Sequence, residues 1–397
     1  MSLASVDEAR ARMLAWAEVM PAEMVALPDA IGRTLAEDVR AMRDQPPYPA
    51  SAMDGWAMAA EDTPGRLNIA GESAAGAPYE AHLVRDEAVR IFTGAALPPG
   101  ADTVVIQEEA RRDDDAVEVP AAPVGAWVRP AGCDFRAGER LLACGMRLDA
   151  WRLSLAAAGG RGELRVARRP RVSFLSTGEE IIDPGTTPGP YQIFDAGTAA
   201  LVALAVQWGA EATRLKPVRD DLAATAAAVR AADGDLIVTV GGASVGDHDL
   251  VKPALAGLGL ELAVESINVR PGKPTWFGRL ADGRRVLGLP GNPASALVCA
   301  ELFLRPLLAA MQGADPGLPM VAARAGAPFP KNGPREHWMR ARIVAGPDGT
   351  LSAEAFADQD SSLVSVFAIA DALVRRPADA PALAAGEPVE ALLLGRA

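Results

Sequence analysis

Hydrophobic and polar residues follow a repeating order in the second half of the chain. After Pro170, short apolar runs that suit buried strands are each followed by a longer segment with helical spacing. The apolar runs are VSFLST, RLKPV, LIVTV and RVLGL, and the helical segments are AGTAALVALAVQWG, DLAATAAAVRAA, LVKPALAGLG and ALVCAELFLRPLL. Strands that alternate with helices are typical of a doubly wound, mostly parallel sheet. The pattern predicts an α/β domain over residues 169–314.

The N-terminal residues predict a helix. Ser5 and Glu8 have the spacing of a capping box, and Val6, Ala9, Met13 and Ala17 return to one face of the helix that would follow. A second helix is expected in AWRLSLAAA, where a capping Asp precedes and a Gly follows. We expect the two helices to pack together, so that residues 1–45 and 146–168 form a helical linker domain.

Two further regions have a β pattern. Residues 46–145 carry short apolar runs separated by Pro and Gly clusters, which predicts a small β domain inserted into the helical one. Apolar alternation returns in residues 315–397, which predicts a C-terminal β domain. The fold class is therefore a multi-domain α/β protein with a doubly wound domain, two small β domains and a helical region.

Composition limits the classes of function. The 397 residues exceed what one hydrophobic core usually supports, and the formal charge of -12 disfavours a nucleic-acid surface. The three cysteines are odd in number and widely spaced, which indicates neither a disulfide framework nor a zinc site and fits the cytoplasm. Glu301 and Arg305 interrupt the longest apolar run, so we expect no membrane span.

Candidate chemistry is concentrated in three Gly-rich turns, VGGASVGDHD, RPGKP and LPGNP. Backbone amides exposed by glycine, with Arg270 and Lys273 nearby, suit an anionic ligand. Carboxylates lie in the same set of loops: Asp247 and Asp249 follow the first turn, and Glu179, Glu180, Asp220 and Asp221 lie upstream. Their charges would repel an anion unless a divalent cation bridged them. Because such loops meet at one edge of a doubly wound sheet, an anion and a metal are expected there together.

Simpler structural explanations exist for several of these residues. Asp220 or Asp221 could cap the Ala-rich helix that follows, and Asp249 could cap the next one. Asn292 before Pro293 matches a helix cap followed by proline at the first helical position. Capping and ligand binding can coexist, so the sequence leaves both interpretations open.

The motifs taken together resemble those of the molybdopterin molybdenumtransferases, a family that includes the C-terminal domain of gephyrin. The resemblance covers nearly the whole chain, and the motifs occur in the order of the family. They are SAMDGWAM, IFTGAALPPGADTVVIQEE, GCDFRAGE, STGEE, RDD, VGGASVGDHD, RPGKP and LPGNPAS.

This resemblance implies transfer of molybdenum from molybdate to the dithiolene of adenylylated molybdopterin, with Mg²⁺ as cofactor and release of AMP. It also implies a homodimer in which the inserted β domain of one subunit completes the active site of the other, and further contacts with other cofactor-biosynthesis proteins.

Functional residues follow from the family motifs. The catalytic positions implied are Asp54, Thr93, Asp134, Glu180, Asp220 and Asp249. Of these, Glu180, Asp220 and Asp249 would hold Mg²⁺. The substrate-binding positions implied are Gly241, Gly242, Ser244, Arg270, Lys273, Pro290, Asn292 and Pro293.

Three positions depart from the family pattern, and two alternative functions stay open. Arg270 stands where the family commonly has Lys, Ser266 replaces a basic residue, and Trp56 replaces a Tyr. A molybdopterin adenylyltransferase would share the α/β domain but would not need the two β domains. A non-catalytic, gephyrin-like scaffold would not need the acidic residues.

Overall fold

The computed structural model describes residues 3–242 and 250–395, so the predicted site residues Ser244 and Asp249 lie outside the described part of the chain. The chain separates into two compact units. The first comprises Met1–Glu23, Gly32–Ala36 and Val166–Ala397, and the second comprises Met24–Ile31 and Glu37–Arg165.

The helices of the described residues are α1 (Val6–Leu14), α2 (Ala150–Ala158), α3 (Ala196–Gln207), α4 (Leu222–Ala231), α5 (Val251–Ala256), α6 (Pro293–Cys299) and α7 (Arg305–Met311). A π-helical segment, Ala300–Leu304, joins α6 to α7. Short 3₁₀ helices are Leu27–Ala30, Ala60–Asp62 and Ser365–Ala368.

The strands are β1 (Ala22–Ala26), β2 (Val39–Arg40), β3 (Ala50–Ser51), β4 (Gly55–Met58), β5 (Gly65–Ser73), β6 (Glu87–Ile91), β7 (Thr103–Ile106), β8 (Arg111–Asp113), β9 (Ala116–Val119), β10 (Val128–Arg129), β11 (Arg140–Leu142), β12 (Glu163–Ala167), β13 (Arg171–Ser176), β14 (Ile181–Ile182), β15 (Ile193–Phe194), β16 (Glu211–Arg214), β17 (Leu236–Val240), β18 (Glu261–Val264), β19 (Val269–Arg270), β20 (Trp276–Arg279), β21 (Arg285–Leu289), β22 (Met320–Ala325), β23 (Glu336–Ala345), β24 (Leu351–Ala355), β25 (Ala372–Arg376) and β26 (Pro388–Leu393).

The first unit contains the predicted doubly wound sheet. Its strand order is β16-β13-β17-β21-β20-β18, and the first four strands are parallel. β20 and β18 add antiparallel pairs at the other side, which the sequence pattern did not indicate. The sheet is therefore mostly parallel, and the predicted fold class is confirmed. One strand differs in position, because the edge strand β16 precedes RLKPV rather than coinciding with it.

Alternating side chains of the central strands fill two cores, one on each face of the sheet. Val172 and Phe174 of β13 point into the core that holds α3, α6 and α7. Leu175 of the same strand points to the opposite core, which Val229 of α4 and Val251 of α5 fill. Helices on both faces bury the sheet completely, which explains why its central strands are almost continuously apolar.

α1 also packs into the first of these cores. The capping box between Ser5 and Glu8 is present, and Val6, Ala9 and Met13 are buried, as the sequence predicted. The helix ends at Leu14, however, and does not reach Ala17 as expected. α2, in contrast, belongs to the second unit. The two helices thus lie in different compact units. The predicted domain boundaries, including a helical linker domain that contains both helices, stay a prediction.

The long helix that begins at Pro293 and ends at Met311 is apolar enough to cross a membrane by length and composition, but 83% of its most apolar window is buried inside the protein. Leu302, Phe303 and Leu307 all belong to the core on its face of the sheet. This degree of burial is typical of a core helix.

The C-terminal strands form a separate sheet in the first unit. Its order is β19-β23-β24-β22-β26-β25, and an additional pairing of β23 with β25 closes five of the strands into a barrel-like ring. The second unit contains a six-stranded sheet with the order β7-β4-β6-β5-β9-β8, in the region predicted to be a small β domain. Trp56, Met58 and Leu67 lie in its core.

Candidate active site at the sheet edge

The direction of the chain reverses at the centre of the parallel sheet. β13 leads through α3 to β16 on one side, and β16 then leads through α4 to β17 on the other side of β13. Ligands of open α/β sheets bind at such a switch point, outside the carboxyl ends of the strands. The turns after β13 and β17, which contain Thr177 and Gly241, therefore flank the expected position of a ligand.

A cleft of about 790 Å³ lies at this position. Of the predicted site residues, it is lined by Glu180, Asp220, Gly241, Gly242, Pro290, Asn292 and Pro293. The tertiary structure thus brings together seven residues from four separate loops, as expected if the motifs form one site. Ser176, Thr177, Ile193, Phe194, Asp195, Ser362 and Val364 also line the cleft, and the motif analysis did not assign them a role.

The structure distinguishes between the two aspartates of the RDD motif. The side chain of Asp221 caps α4, because its Oδ1 accepts a 2.7 Å hydrogen bond from the amide of Ala224. Asp220 lines the cleft instead. The capping interpretation therefore applies to Asp221, and Asp220 is the carboxylate placed for chemistry.

Glu180 lies on a loop that is fastened at both ends. β14, directly after Glu180, pairs with β15, and the backbone oxygen of Glu180 accepts a 2.8 Å hydrogen bond from the amide of Ile193. Arg214 joins the two halves of this loop, because its guanidinium bonds both Asp183, at 2.6 Å, and Asp195, at 3.0 Å. The backbone that carries Glu180 is therefore held by its pairing with β15 and by the ion pairs of Arg214.

Asp195 is a cleft residue that the sequence analysis missed. It caps α3 by accepting a 3.0 Å hydrogen bond from the amide of Thr198, and it is 4% exposed. Burial alone would raise the pKa of Asp195, yet hydrogen bonds from Thr198 and Arg214 outweigh burial and lower it. The Asp directly before an apolar helix was the available signal for the cap, but its pairing with Arg214 needed the fold.

The start of α6 presents backbone amides to the cleft. Asn292 and Pro293 occupy the predicted cap and first helical positions, but the Asn292 side chain makes no capping hydrogen bond. Its Nδ2 instead donates a 2.9 Å hydrogen bond to Oγ of Ser361. The first amides of α6 are thus not satisfied by their own cap, and the positive end of the helix dipole faces the cleft.

Two of the three predicted magnesium ligands line the cleft, and the third, Asp249, lies outside the described residues. Glu180 and Asp220 both line the cleft, but within residues 3–242 and 250–395 no group of three or more His, Cys, Asp or Glu side chains is placed to hold a metal ion. Mg²⁺ commonly binds one or two carboxylates and takes its other ligands from water and substrate phosphates. Two carboxylates therefore suffice for such a site, and Mg²⁺ stays a prediction.

The two basic residues of RPGKP lie elsewhere. Arg270 belongs to β19, which pairs with β23 of the C-terminal sheet, and it lines a second cavity of about 450 Å³ together with Lys331 and His337. Lys273 is exposed, and only its neighbour Pro274 lines the sheet-edge cleft. The strand before this turn, β19, pairs in parallel with β23 of the C-terminal sheet and not with a strand of the doubly wound sheet, so Arg270 lines a different cavity from Glu180 and Asp220. Its predicted binding role stays a prediction.

The predicted residues of the second unit form their own arrangement. Both the amide and the hydroxyl of Thr93 donate 2.8 Å hydrogen bonds to Oδ1 of Asp54, and these bonds lower the pKa of Asp54. Asp134 lines a cavity of about 470 Å³ that also contains Gly94, the residue after Thr93. Trp56, which departs from the family pattern, is buried with the Arg90 guanidinium 5.5 Å from its ring centre. The Trp side chain is therefore accommodated in the core of this sheet.

Three family models match successive segments of the chain. Residues 4–160 match the family described as MoeA N-terminal region (domain I and II), residues 173–310 match a probable molybdopterin binding domain, and residues 322–394 match the MoeA C-terminal region (domain IV). The sheet-edge cleft is built mainly from the second of these segments.

Several curated proteins named molybdopterin molybdenumtransferase are similar to this chain. The protein from Haemophilus influenzae is 32% identical over 97% of both chains, and that from Bacillus subtilis is 31% identical over 98% of this chain and 94% of its own. The Nostoc protein is 37% identical over 74% of this chain and 70% of its own. The solved structure of a molybdopterin biosynthesis MoeA protein from Pyrococcus horikoshii has a TM-score of 0.84 at 31% identity and covers 99% of both chains. The chain therefore belongs to the family of molybdopterin molybdenumtransferases.

Proposed function

We propose that this enzyme transfers molybdenum from molybdate to the dithiolene of adenylylated molybdopterin and releases AMP with the help of Mg²⁺. Its place in molybdenum cofactor biosynthesis follows from the family. The observation that supports the finer proposal is the cleft at the switch point, where two carboxylates, a Gly-Gly turn and an uncapped helix start line one space.

Phosphate recognition is the first requirement of this reaction. The start of α6 supplies amide donors and a positive dipole, which suit the phosphate oxygens of the substrate. Gly241 and Gly242 have φ angles of +96° and +56°, and neither has a side chain that would fill the cleft wall. Backbone groups can therefore approach the ligand closely at this turn.

Charge compensation is the second requirement. Glu180 and Asp220 would hold Mg²⁺, which when bound offsets the negative charge of the phosphates as the phosphoanhydride bond breaks. The clamp of Arg214 on Asp183 and Asp195 keeps the Glu180 loop in place, so little reorganisation is needed when substrate binds.

The proposed reaction balances without an oxidant or reductant. Two Mo–S bonds form between molybdate and the dithiol, and one oxo ligand leaves as water with the two thiol protons. One water molecule cleaves the phosphoanhydride bond, so that AMP leaves and the pterin keeps its phosphate. Molybdenum stays in its oxidised state throughout.

Anaerobic reconstitution tests this function. Purified protein is incubated with adenylylated molybdopterin, molybdate and Mg²⁺, and AMP release is measured together with activation of an apo-molybdoenzyme. Both signals should require molybdate and should disappear when a chelator removes Mg²⁺. Adenylylation of free molybdopterin from ATP without molybdate would instead identify an adenylyltransferase, and unchanged AMP release in the chelator would exclude the metal.

We also propose a cytoplasmic homodimer in which Asp54, Thr93 and Asp134 act in the active site of the partner subunit. The direct contact of Asp54 with Thr93 supports a joint role for these residues. Mixing inactive Asp54→Ala and Asp220→Ala chains should restore about a quarter of the wild-type activity, since half of the dimers would then hold one intact site. A mixture that stays inactive although heterodimers form would contradict the shared site.

A further inference from the structure

We infer that the hydroxyl of Thr177 is a substrate-binding group that donates a hydrogen bond to a phosphate oxygen of the pterin. This inference rests on the proposed function and adds a residue that neither the motifs nor the family descriptions assign. Thr177 directly follows β13 at the switch point and lines the cleft.

The backbone of Thr177 is fixed on both sides. Its amide donates a 3.0 Å hydrogen bond to the oxygen of Val240, and the amide of Gly178 donates a 3.2 Å bond to the oxygen of Val218. Thr177 also forms a parallel bridge with Val218. Bonds to two neighbouring strand ends hold the residue in one position, which is what a binding group requires.

Among the described residues, the side chain of Thr177 has no partner that would explain a hydroxyl. The residue is 6% exposed, and its Oγ1 is buried with no hydrogen-bond partner in the described part of the chain. A buried hydroxyl that stays unpaired destabilises the folded protein, whereas valine has nearly the same shape and no such penalty. A threonine at this position is therefore unfavourable for stability alone.

The surroundings of the hydroxyl explain how a ligand can reach it. A Cβ atom placed on Gly241 or Gly242 would lie 3.1 or 3.2 Å from Oγ1 of Thr177. The hydroxyl thus lies just below the cleft wall, against two residues without side chains. Because neither glycine has a side chain, no side chain of this turn separates the donor from a ligand oxygen in the cleft.

A matched control exists in the same sheet. Thr239 of β17 is fully buried, and its Oγ1 also lacks a partner among the described residues, but it does not line the cleft. Thr177→Val and Thr239→Val therefore remove the same kind of unpaired hydroxyl, one at the cleft and one away from it. Thr177→Ser keeps the donor.

The test measures equilibrium binding of molybdopterin released anaerobically from a molybdoenzyme, and of the same compound after a phosphatase removes its phosphate. Thr177→Val should weaken binding of the phosphorylated compound about tenfold, or about 1.4 kcal/mol, and leave binding of the other unchanged. Thr239→Val and Thr177→Ser should bind both compounds within about threefold of the wild type. The melting temperature of either valine variant should stay the same or rise.

Three results would overturn the inference while the proposed function stands. They are wild-type affinity in Thr177→Val, equal losses for both compounds, and a loss of stability in Thr177→Val that Thr239→Val does not share. The last would assign the hydroxyl to a structural partner. A wild-type protein that binds neither compound would overturn the proposed function itself, and the inference with it.

Discussion

Two neighbouring aspartates in this protein have different roles, one structural and one chemical. Asp220 and Asp221 are adjacent and chemically identical, yet one lines the cleft and the other caps α4. Loss of a cap and loss of a carboxylate at a reacting group have different consequences, because the first lowers stability and the second lowers the rate. The pair therefore offers a controlled comparison within one motif.

We expect Asp220→Ala to lower molybdenum transfer about 100-fold or more. Asp221→Ala should keep most of its activity and lose about 1 kcal/mol of stability, since the amide of Ala224 loses its acceptor. Activity assays and urea unfolding of both variants check this. A greater loss of activity in Asp221→Ala than in Asp220→Ala would show that the assignment of the reacting carboxylate to Asp220 is wrong.

Among the elements, the join between the parallel and antiparallel strands of the doubly wound sheet shows how closely neighbouring residues pack. Trp276 of β20 is opposite Gly288 of β21 and is fully buried. A Cβ atom on Gly288 would lie 1.9 Å from the indole Nε1, so the ring occupies the space that any side chain at Gly288 would need. The join between the parallel and antiparallel parts of the sheet depends on this contact.

Gly288→Ala should therefore destabilise the protein by about 1–3 kcal/mol, because the buried indole has to move out of a filled core. Gly257→Ala is the control. Gly257 has a φ of -66°, and the nearest atom to its added Cβ, the oxygen of Ala254, is 3.7 Å away. The control should be as stable as the wild type or slightly more so. Equal urea midpoints for the two variants would contradict the packing argument.

For the molecule as a whole, the free energy of unfolding is expected to depend on pH through a buried histidine, His337. Burial and the nearby Arg270, Arg340 and Arg335 lower the pKa of His337 to about 4, from an ordinary value of 6.5. His337 is 7% exposed and stays neutral at pH 7. Between these two values the unfolded chain binds more protons than the folded one, so stability falls as the pH decreases.

The wild-type protein should accordingly lose about 2–3 kcal/mol of stability between pH 7 and pH 4.5 through this histidine. His337→Gln should show a shallower dependence over the same range. Carboxylates with lowered pKa values, such as that of Asp195, add their losses at lower pH. Urea unfolding at a series of pH values measures both slopes, and parallel curves for the two proteins would exclude His337 as the cause.

Much of the fold could be predicted from the sequence. Local patterns correctly predicted the capping box and buried face of α1, the α/β alternation after Pro170 and the cap position at Asn292. Each of these features depends on residues within a few positions of one another. The meeting of Glu180, Asp220 and the Gly-Gly turn at one edge also followed, since parallel strands place their carboxyl ends together.

Only the tertiary structure decided the contacts between distant segments. No local sequence pattern indicated the antiparallel strands β18 and β20 or the ion pairs of Arg214 with Asp183 and Asp195. The same is true of the hydrogen bond from Asn292 to Ser361 and of the position of Arg270 at the C-terminal sheet. Local periodicity and capping report the conformation of a segment, whereas these contacts depend on which surfaces pack together. That choice is made by burial across the whole chain, and so the sequence determined the elements while the fold determined their partners.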